Sequence, residues 1–336
     1  MRGLSMDALC EKVGNVITKQ SISKYENGKM LPDSKVLILL SKALEVSIDY
    51  FFRQPTVSID NVEFRKKSKL GVKQIDSIKE IVKDQLERYF EIENLNAVGS
   101  SYRPQYENAT IQEENDISPI VKRVKADWQL GEDGINNLIE VLEDNNIKVV
   151  EIDAPKSFDG LSGFVNGEIP VIVLNKNFES ERKRFTALHE LGHLILTFDD
   201  CIPDKQVESY CNLFASEMLI SRDVFIQRIG AARSDISLEE LKGLQIQFGI
   251  SIDALMYKAK NLNVITESRF NYFHKRKNAA RQFKEAVEKN RSKKEYSNRF
   301  DRLVYRALAS EIISFSKASA LLGISVDAIR NQLNLV

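Results

Sequence analysis

Apolar positions recur at spacings of three and four along most of this chain, and strand-like alternation is confined to residues 147–174. Met6–Val13, Lys19–Glu26 and Lys35–Leu44 therefore read as short helices. Ser5 and Thr18 are placed to cap the first two, Gly14 and Asn27-Gly28 to end them, and Leu31-Pro32-Asp33-Ser34 to open the third. Residues 49–52 add a last turn. Short helix, turn, polar helix is the helix-turn-helix pattern of DNA readers, and a small helical protein-binding module reads the same way.

Farther along, Ile75, Ile78, Val82, Leu86 and Tyr89 form one stripe of a helix over 73–95, suited to packing on the following domain or on a second copy. Asn94–Asn115 is polar and loop-like, broken by Gly99-Ser100-Ser101 and Pro104. Two helices fill 119–145, with Gly131–Gly134 between them. Ile147–Ile152 alternates as a strand, and Gly160–Val165 and Pro170–Leu174 flank Asn166-Gly167, a hairpin signal. Helical period returns at Phe185–Leu196 and Glu208–Ile220. It returns again in two pairs with matching turns, Phe248-Gly-Ile-Ser251 before Ile252–Ala259 and Leu322-Gly-Ile-Ser325 before Val326–Arg330. These two pairs are a weak repeat or convergent turn chemistry; the first reads as structural support. The predicted fold class is α+β, mainly helical: an N-terminal helix-turn-helix bundle at 1–56, a helical connector at 57–118, a central domain with a small sheet at 119–265 and a helical C-terminal region at 266–336.

Composition narrows the setting. The 336 residues suit two or three domains, and 43% hydrophobic content supplies real cores. Forty-eight basic and 48 acidic residues cancel, so polyanion binding must come from a local patch. The run Phe64–Lys69 is basic but reads as a solvated segment, and the Lys/Arg-rich stretch 268–302 as exposed helix faces with some potential for nucleic acid. Cys10, Cys201 and Cys211 are too few and scattered for a disulfide framework. With no apolar leader and no membrane-spanning run, the expected location is cytoplasmic, without a membrane partner.

The chemistry concentrates in Phe185–Leu196, which holds His189-Glu190-Leu-Gly-His193, two of the chain's three histidines. Four residues apart on a helix, the imidazoles share one face and can reach one zinc ion at about 2.0–2.1 Å. Glu190 is then placed as a general base toward water. A catalytic zinc takes three protein ligands, and the third is open among Glu208, Glu217, Asp199, Asp200, Cys201, Cys211 and His274. Glu208 and Asn212 share a helix face, which suits a carboxylate ligand beside an amide that orients a ligating histidine. Gly192 costs helix stability, so close backbone packing against the small sheet is expected there.

Two resemblances follow from the motifs. Ala8-Leu9, Ile22–Gly28, Pro32 and Ala43–Ser47 resemble the XRE (Cro/C1-like) repressor domain. That resemblance implies that Lys19, Gln20, Ser21, Ser23 and Lys24 meet the bases and phosphates of a DNA operator, while Ile22 and Glu26 serve packing and internal hydrogen bonding. Gln suits adenine, and Lys and Ser suit phosphate. It also implies pairing on palindromes, hence a homodimer. The family has a further helix before Ser5, so an incomplete bundle with Leu9 and Leu39 exposed is expected.

The second resemblance rests on Gly160-Leu-Ser-Gly163, Pro170–Asn175, Arg184–Leu194 and Glu208-x-x-x-Asn212-x-Phe214-Ala215-x-x-Met218-Leu219-Ile220. Together these are similar to the ImmA/IrrE metallopeptidases over roughly residues 119–262. The resemblance implies a zincin-like domain with zinc held by His189, His193 and Glu208, Glu190 as catalytic base and a transcriptional repressor as protein substrate, its cleavage releasing stress-response or mobile-element genes. Two positions depart from the family pattern, Cys211 for Ala and Ser221 for Pro. The substrate is expected to add a strand to the hairpin edge near 161–165 or 170–174, with Tyr210 available as an oxyanion donor. The alternative is a DNA-binding regulator or antitoxin-like component whose peptidase fold mainly binds a partner.

Overall fold

The computed structural model describes residues 4–46, 48–52, 62–64, 71–98, 110–199 and 201–333. The basic run 65–69, Asp200, Ser47 and the breaks at 99–101 and 104 lie outside the described residues. The architecture is mainly helical α+β. Helices α1 (Met6–Lys12), α2 (Lys19–Glu26) and α3 (Ser34–Leu44) start where side-chain oxygens meet orphan amides: Ser5 Oγ accepts from Ala8 N at 3.1 Å, Thr18 Oγ1 from Ser21 N at 3.2 Å, and Asp33 Oδ1 from Val36 N at 2.8 Å. A short 3₁₀ turn at Ile48–Phe52, strand β1 (Val62–Phe64) and helix α4 (Val72–Leu95) follow. Next come β2 (Thr110–Ile111), α5 (Ile117–Asp127), α6 (Leu138–Asp144), β3 (Lys148–Ile152), β4 (Gly160–Val165), β5 (Ile169–Asn175), α7 (Ser180–Ile195), β6 (Thr197–Phe198) and α8 (Asp204–Leu219). The chain continues as α9 (Arg222–Ile229), α10 (Leu238–Phe248), α11 (Ile252–Asn261), α12 (Glu267–Ala279), α13 (Arg281–Glu288), α14 (Arg299–Ala309), α15 (Phe315–Leu322) and α16 (Val326–Leu333).

These elements group into two compact units: Met1–Ile59 with Leu70–Gly99 and Phe300–Val336, and Asp60–Lys69 with Ser100–Arg299. In the first unit, Leu9, Cys10, Val13, Ile17, Ile22, Val36 and Leu40 form a small core. The expected exposure fails here: Leu9 is only 9% exposed and Leu39 is half-buried. Leu4 and Phe51 pack against this core and supply cover that the sequence pattern did not assign. A second core joins Tyr89 and Ile92 of α4 to Leu303, Val304, Ala307, Leu308, Ala318, Leu321 and Ile329. The C-terminal part of the α4 stripe is thus covered by α14–α16. Arg88 Nη1 donating to Leu321 O at 3.2 Å and Asn96 Nδ2 to Leu303 O at 3.1 Å fix the fit.

The second unit holds a four-stranded sheet in the order β1-β4-β5-β3. β4 runs antiparallel to both β1 and β5, and β3 runs parallel to β5. The hairpin forms as expected, with Asn166 and Gly167 both at positive φ. Its edges are largely covered, however. Residues 171–175 pair with β3, and residues 163–165 pair with β1, so of the expected edges 161–165 and 170–174 only Leu161, Ser162 and Pro170 are without a paired strand on their outer side among the described residues. Pairing with β1 was invisible from sequence because three residues carry almost no periodic signal.

α7 lies against this sheet and α8 packs on α7, within one continuous core with α5, α6 and α10–α13. Between α13 and α14 the chain docks on the unit's surface. Glu295 pairs with Arg184 at 2.5 Å, and Arg291 Nη1 donates to Gln245 Oε1 at 2.7 Å. Arg269 with Asp235 and Lys277 with Asp253 are likewise engaged, so part of the basic charge of 268–302 is paired internally.

Candidate metal centre

α7 is buried along nearly its whole length, which is why its apolar residues run all round the helix. Its N-terminus is fixed by Glu181, which accepts from Gln245 Nε2 at 2.8 Å and from Arg291 N at 3.0 Å, an anion where the helix dipole favours one. One turn on, Arg184 meets Glu295 and donates to Phe248 O at 3.3 Å. Gly249, at φ +63°, makes room for that guanidinium: a Cβ there would sit 2.5 Å from Arg184 Nε.

His189 and His193 then present Nε2 atoms 3.2 Å apart. Across from them, on α8, Glu208 places Oε2 3.4 Å from His189 Nε2 and Oε1 3.4 Å from His193 Nε2. Donors bound tetrahedrally at about 2.0–2.1 Å stand roughly 3.3–3.4 Å from one another, so this triangle fits one zinc ion. The ring nitrogens on the far side are also held. His189 Nδ1 lies 3.0 Å from Asn212 Oδ1, and His193 Nδ1 lies 3.5 Å from Cys211 Sγ. With Oδ1 as acceptor, His189 carries its proton on Nδ1 and turns the Nε2 lone pair inward. Among the described residues no other set of three His, Cys, Asp or Glu gathers in this way.

The remaining candidates for a third ligand are engaged elsewhere. Glu217 pairs with Lys258. Asp199 accepts from Cys201 N at 2.9 Å, and Cys201 is exposed. His274 packs on the rings of Phe270 and Phe273 at 4.5 and 5.2 Å. Cys211 is fully buried against the outer nitrogen of His193, away from the triangle. Tyr210 is committed to packing: its hydroxyl accepts from Gln206 Nε2 at 2.7 Å and donates to Gln112 O at 3.4 Å, and its ring stacks on Phe198.

Glu190 is 1% exposed and accepts from Ser162 Oγ at 2.8 Å through Oε2. Ser162 is a site residue that sequence reading missed. The signal was present in the alternation of β4, which puts Gly160 and Ser162 on one face. Gly160 lets β4 close on α7, because a Cβ there would meet Thr186 Cγ2 at 2.7 Å and Val173 O at 2.9 Å. The expectation for Gly192 needs correcting: its close neighbours are Phe214 and Cys211 of α8, at 3.3 and 3.4 Å from a built Cβ, not the sheet. The helix-to-helix approach at Gly192 brings Glu208 to the histidines, since both helices face each other through this contact.

Farther along α8, Glu217 forms a buried pair with Lys258 of α11, within electrostatic reach of Lys125. Burial pushes the Lys258 ammonium below its usual range against the opposing pull of Glu217, and burial likewise pushes Lys125 down.

On α2, Lys19, Gln20 and Lys24 are exposed, and Ser21 and Ser23 are half-buried. Lys19 pairs with Asp7 at 2.5 Å, which raises its pKa. Ser21 Oγ is 3.0 Å from Thr18 Oγ1, and Ser23 Oγ accepts from Asn27 Nδ2 at 3.4 Å. Ile22 is buried in the bundle core.

Comparison with known families agrees with both halves. Residues 142–260 match the peptidase-family model described as the IrrE N-terminal-like domain, and residues 1–51 match the helix-turn-helix model. The chain therefore joins an XRE-type helix-turn-helix DNA-binding domain to an IrrE-like peptidase domain. A search among curated proteins returned no match.

Proposed function

We propose that this chain is a zinc-dependent endopeptidase of the cytoplasm that cleaves a transcriptional repressor, with its helix-turn-helix domain bringing it to the operator. The observation that carries the reading is the convergence of His189 Nε2, His193 Nε2 and Glu208 at 3.2–3.4 Å beside a buried Glu190. A DNA-binding domain on the same chain favours a regulator as substrate over a nutrient peptide. Among the described residues no helix is long and apolar enough to cross a membrane.

His189, His193 and Glu208 would hold the ion, with Asn212 and Cys211 keeping the imidazoles in register. Bound there, zinc supplies Lewis-acid polarisation of the scissile carbonyl and acidifies water. Glu190 takes a proton from the attacking water and delivers it to the leaving amine. The Ser162 hydroxyl holds Oε2 of that carboxylate, so Glu190 keeps one rotamer while the proton moves.

The test pairs zinc analysis with cleavage of candidate repressors by the native protein and Glu190→Gln. Both proteins should carry one zinc per chain, and cleavage should fall by about 10²–10⁴-fold in the variant, the usual worth of a general base. Equal cleavage by the variant removes Glu190 from the mechanism. If neither protein cuts and both bind an operator, the chain is a DNA-binding regulator with a partner-binding peptidase fold.

A further inference from the structure

α15 and α16 repeat the construction of α1 and α2. Ser314 caps α15, its Oγ accepting from Lys317 N at 3.2 Å, and Gly323 ends that helix at φ +69°. Ser325 then starts α16, its Oγ accepting from Ala328 N at 3.2 Å. In α1–α2 the same places are taken by Ser5, Gly14 at φ +73° and Thr18. The second helix of each pair has eight residues and sinks one side chain into its bundle, at the fourth position: Ile22 in α2 and Ile329 in α16. Asp327, Arg330 and Asn331 of α16 are exposed, as Lys19, Gln20 and Lys24 of α2 are.

A third helix pair, α10–α11, shows that the turn alone does not make such a face. α10–α11 has the same Gly-Ile-Ser turn, yet α11 buries Ile252, Leu255, Met256, Lys258 and Ala259. Of its ten residues only Tyr257 and Asn261 are exposed, so it keeps a much narrower outward face than α2 or α16. Charge does not separate α15–α16 from α1–α2 either. Residues 300–333 hold four basic and three acidic side chains, and residues 4–46 hold six and five, a net of +1 in each.

We propose that α15–turn–α16 is a second reader of duplex DNA, with α16 in the major groove and Arg330 and Asn331 at base edges. Arginine suits guanine O6 and N7, and asparagine suits adenine N6 and N7. The Arg330 guanidinium lies 5.5 Å over the Phe315 ring and 3.8 Å from Asp327, which restrains it on the exposed side of the helix before DNA arrives. One chain then reads two motifs, so its preferred site is bipartite even for a single copy.

The experiment uses the full chain. Duplexes are selected from a random pool, and affinities for the selected sequence are measured for the native protein, Gln20→Ala/Lys24→Ala and Arg330→Ala/Asn331→Ala. Selected duplexes should contain two short motifs. Each double variant should weaken binding about tenfold or more and lose base preference at a different motif. All four substituted residues are exposed, so the thermal midpoints should match the native protein and a fold defect would be seen directly. The proposal is overturned if the Arg330/Asn331 variant keeps native affinity and preference, or if selection yields one motif governed by Gln20 and Lys24. It is also overturned if no duplex is enriched, or if the variant instead dissolves a dimer with DNA binding intact, which would make this face a protein interface. Cleavage activity plays no part in these outcomes.

Discussion

α10–α11 and α15–α16 are written with nearly the same turn, Phe248-Gly-Ile-Ser251 and Leu322-Gly-Ile-Ser325, each with a left-handed glycine and a serine cap. They meet opposite surroundings. α11 is pressed into the core that carries the candidate metal centre, while α16 keeps a polar face outward. Turn geometry is a local property, fixed by a few residues whose φ and capping needs are satisfied on the spot. Burial is a property of everything else in the chain. The same local motif therefore serves in one place as a support for α7 and in the other as a candidate reading surface.

The sharpest way to break this comparison is to remove the cation from each second helix. Lys258 on α11 is 4% exposed and paired with Glu217, and Arg330 on α16 is 60% exposed near Asp327. Lys258→Met strands a buried carboxylate and should cost about 3–5 kcal/mol, whereas surface substitutions such as Arg330→Met stay within about 0.5 kcal/mol. Adding Glu217→Leu to Lys258→Met should return most of the loss. Denaturant titration of the variants reads this directly, and similar costs at the two lysine and arginine sites would erase the distinction.

The turn glycines give the next contrast. Gly323→Ala forces a side chain into the left-handed region but meets open space, a cost of about 1 kcal/mol. Gly249→Ala pays the same strain and also drives Cβ into the Arg184 guanidinium, which Glu295 and Phe248 O hold in place. About 2–4 kcal/mol is expected there. Thermal unfolding should separate the two by several degrees, and an equal shift would mean that Arg184 moves aside freely.

These contrasts also show how much the sequence could say. Caps, the Asn-Gly hairpin and the four-residue spacing of His189 and His193 are short-range patterns, legible one segment at a time. From spacing alone Glu208 was one option among seven, favoured by the face it shares with Asn212 and singled out by the family resemblance, because nothing local tells which helix face meets α7. Ser162 beneath Glu190, Arg184 with Glu295, and β1 on the edge of β4 all join residues far apart in sequence. No periodicity encodes such pairings. Gly192 was recognised as a close approach, but its partner was assigned to the sheet, since a glycine records that something is near without recording what.

How far the support from α10 reaches the candidate metal centre can be measured as zinc affinity. Asn212→Ala removes the acceptor 3.0 Å from His189 Nδ1 and should weaken zinc binding about 10–100-fold. Gln245→Ala acts at one remove, by freeing Glu181 at the start of α7, and should weaken it by less than the Asn212 change. Competition with a chromophoric chelator ranks the two. A larger loss from Gln245→Ala would mean that helix placement outweighs ring orientation.

The smallest effect is in pH. Lys258 is held below its ordinary value of 10.5 because burial penalises the ammonium more than Glu217 and its hydrogen bond favour it. The folded chain therefore binds fewer protons here than the unfolded chain over the interval between the depressed value and 10.5. Stability must rise with pH across that interval, by no more than about 1.4 kcal/mol per unit for one proton. Lys125, also pushed down by burial, adds to the slope in the same direction and stays in place when Lys258 is replaced. The difference in alkaline slope between the native protein and Lys258→Met/Glu217→Leu isolates the Lys258 share. Arg330→Met, whose guanidinium stays charged throughout, should show the native slope. If the double variant keeps the full slope, Lys258 is not strained by burial, and α11 would be as indifferent to its surroundings as α16.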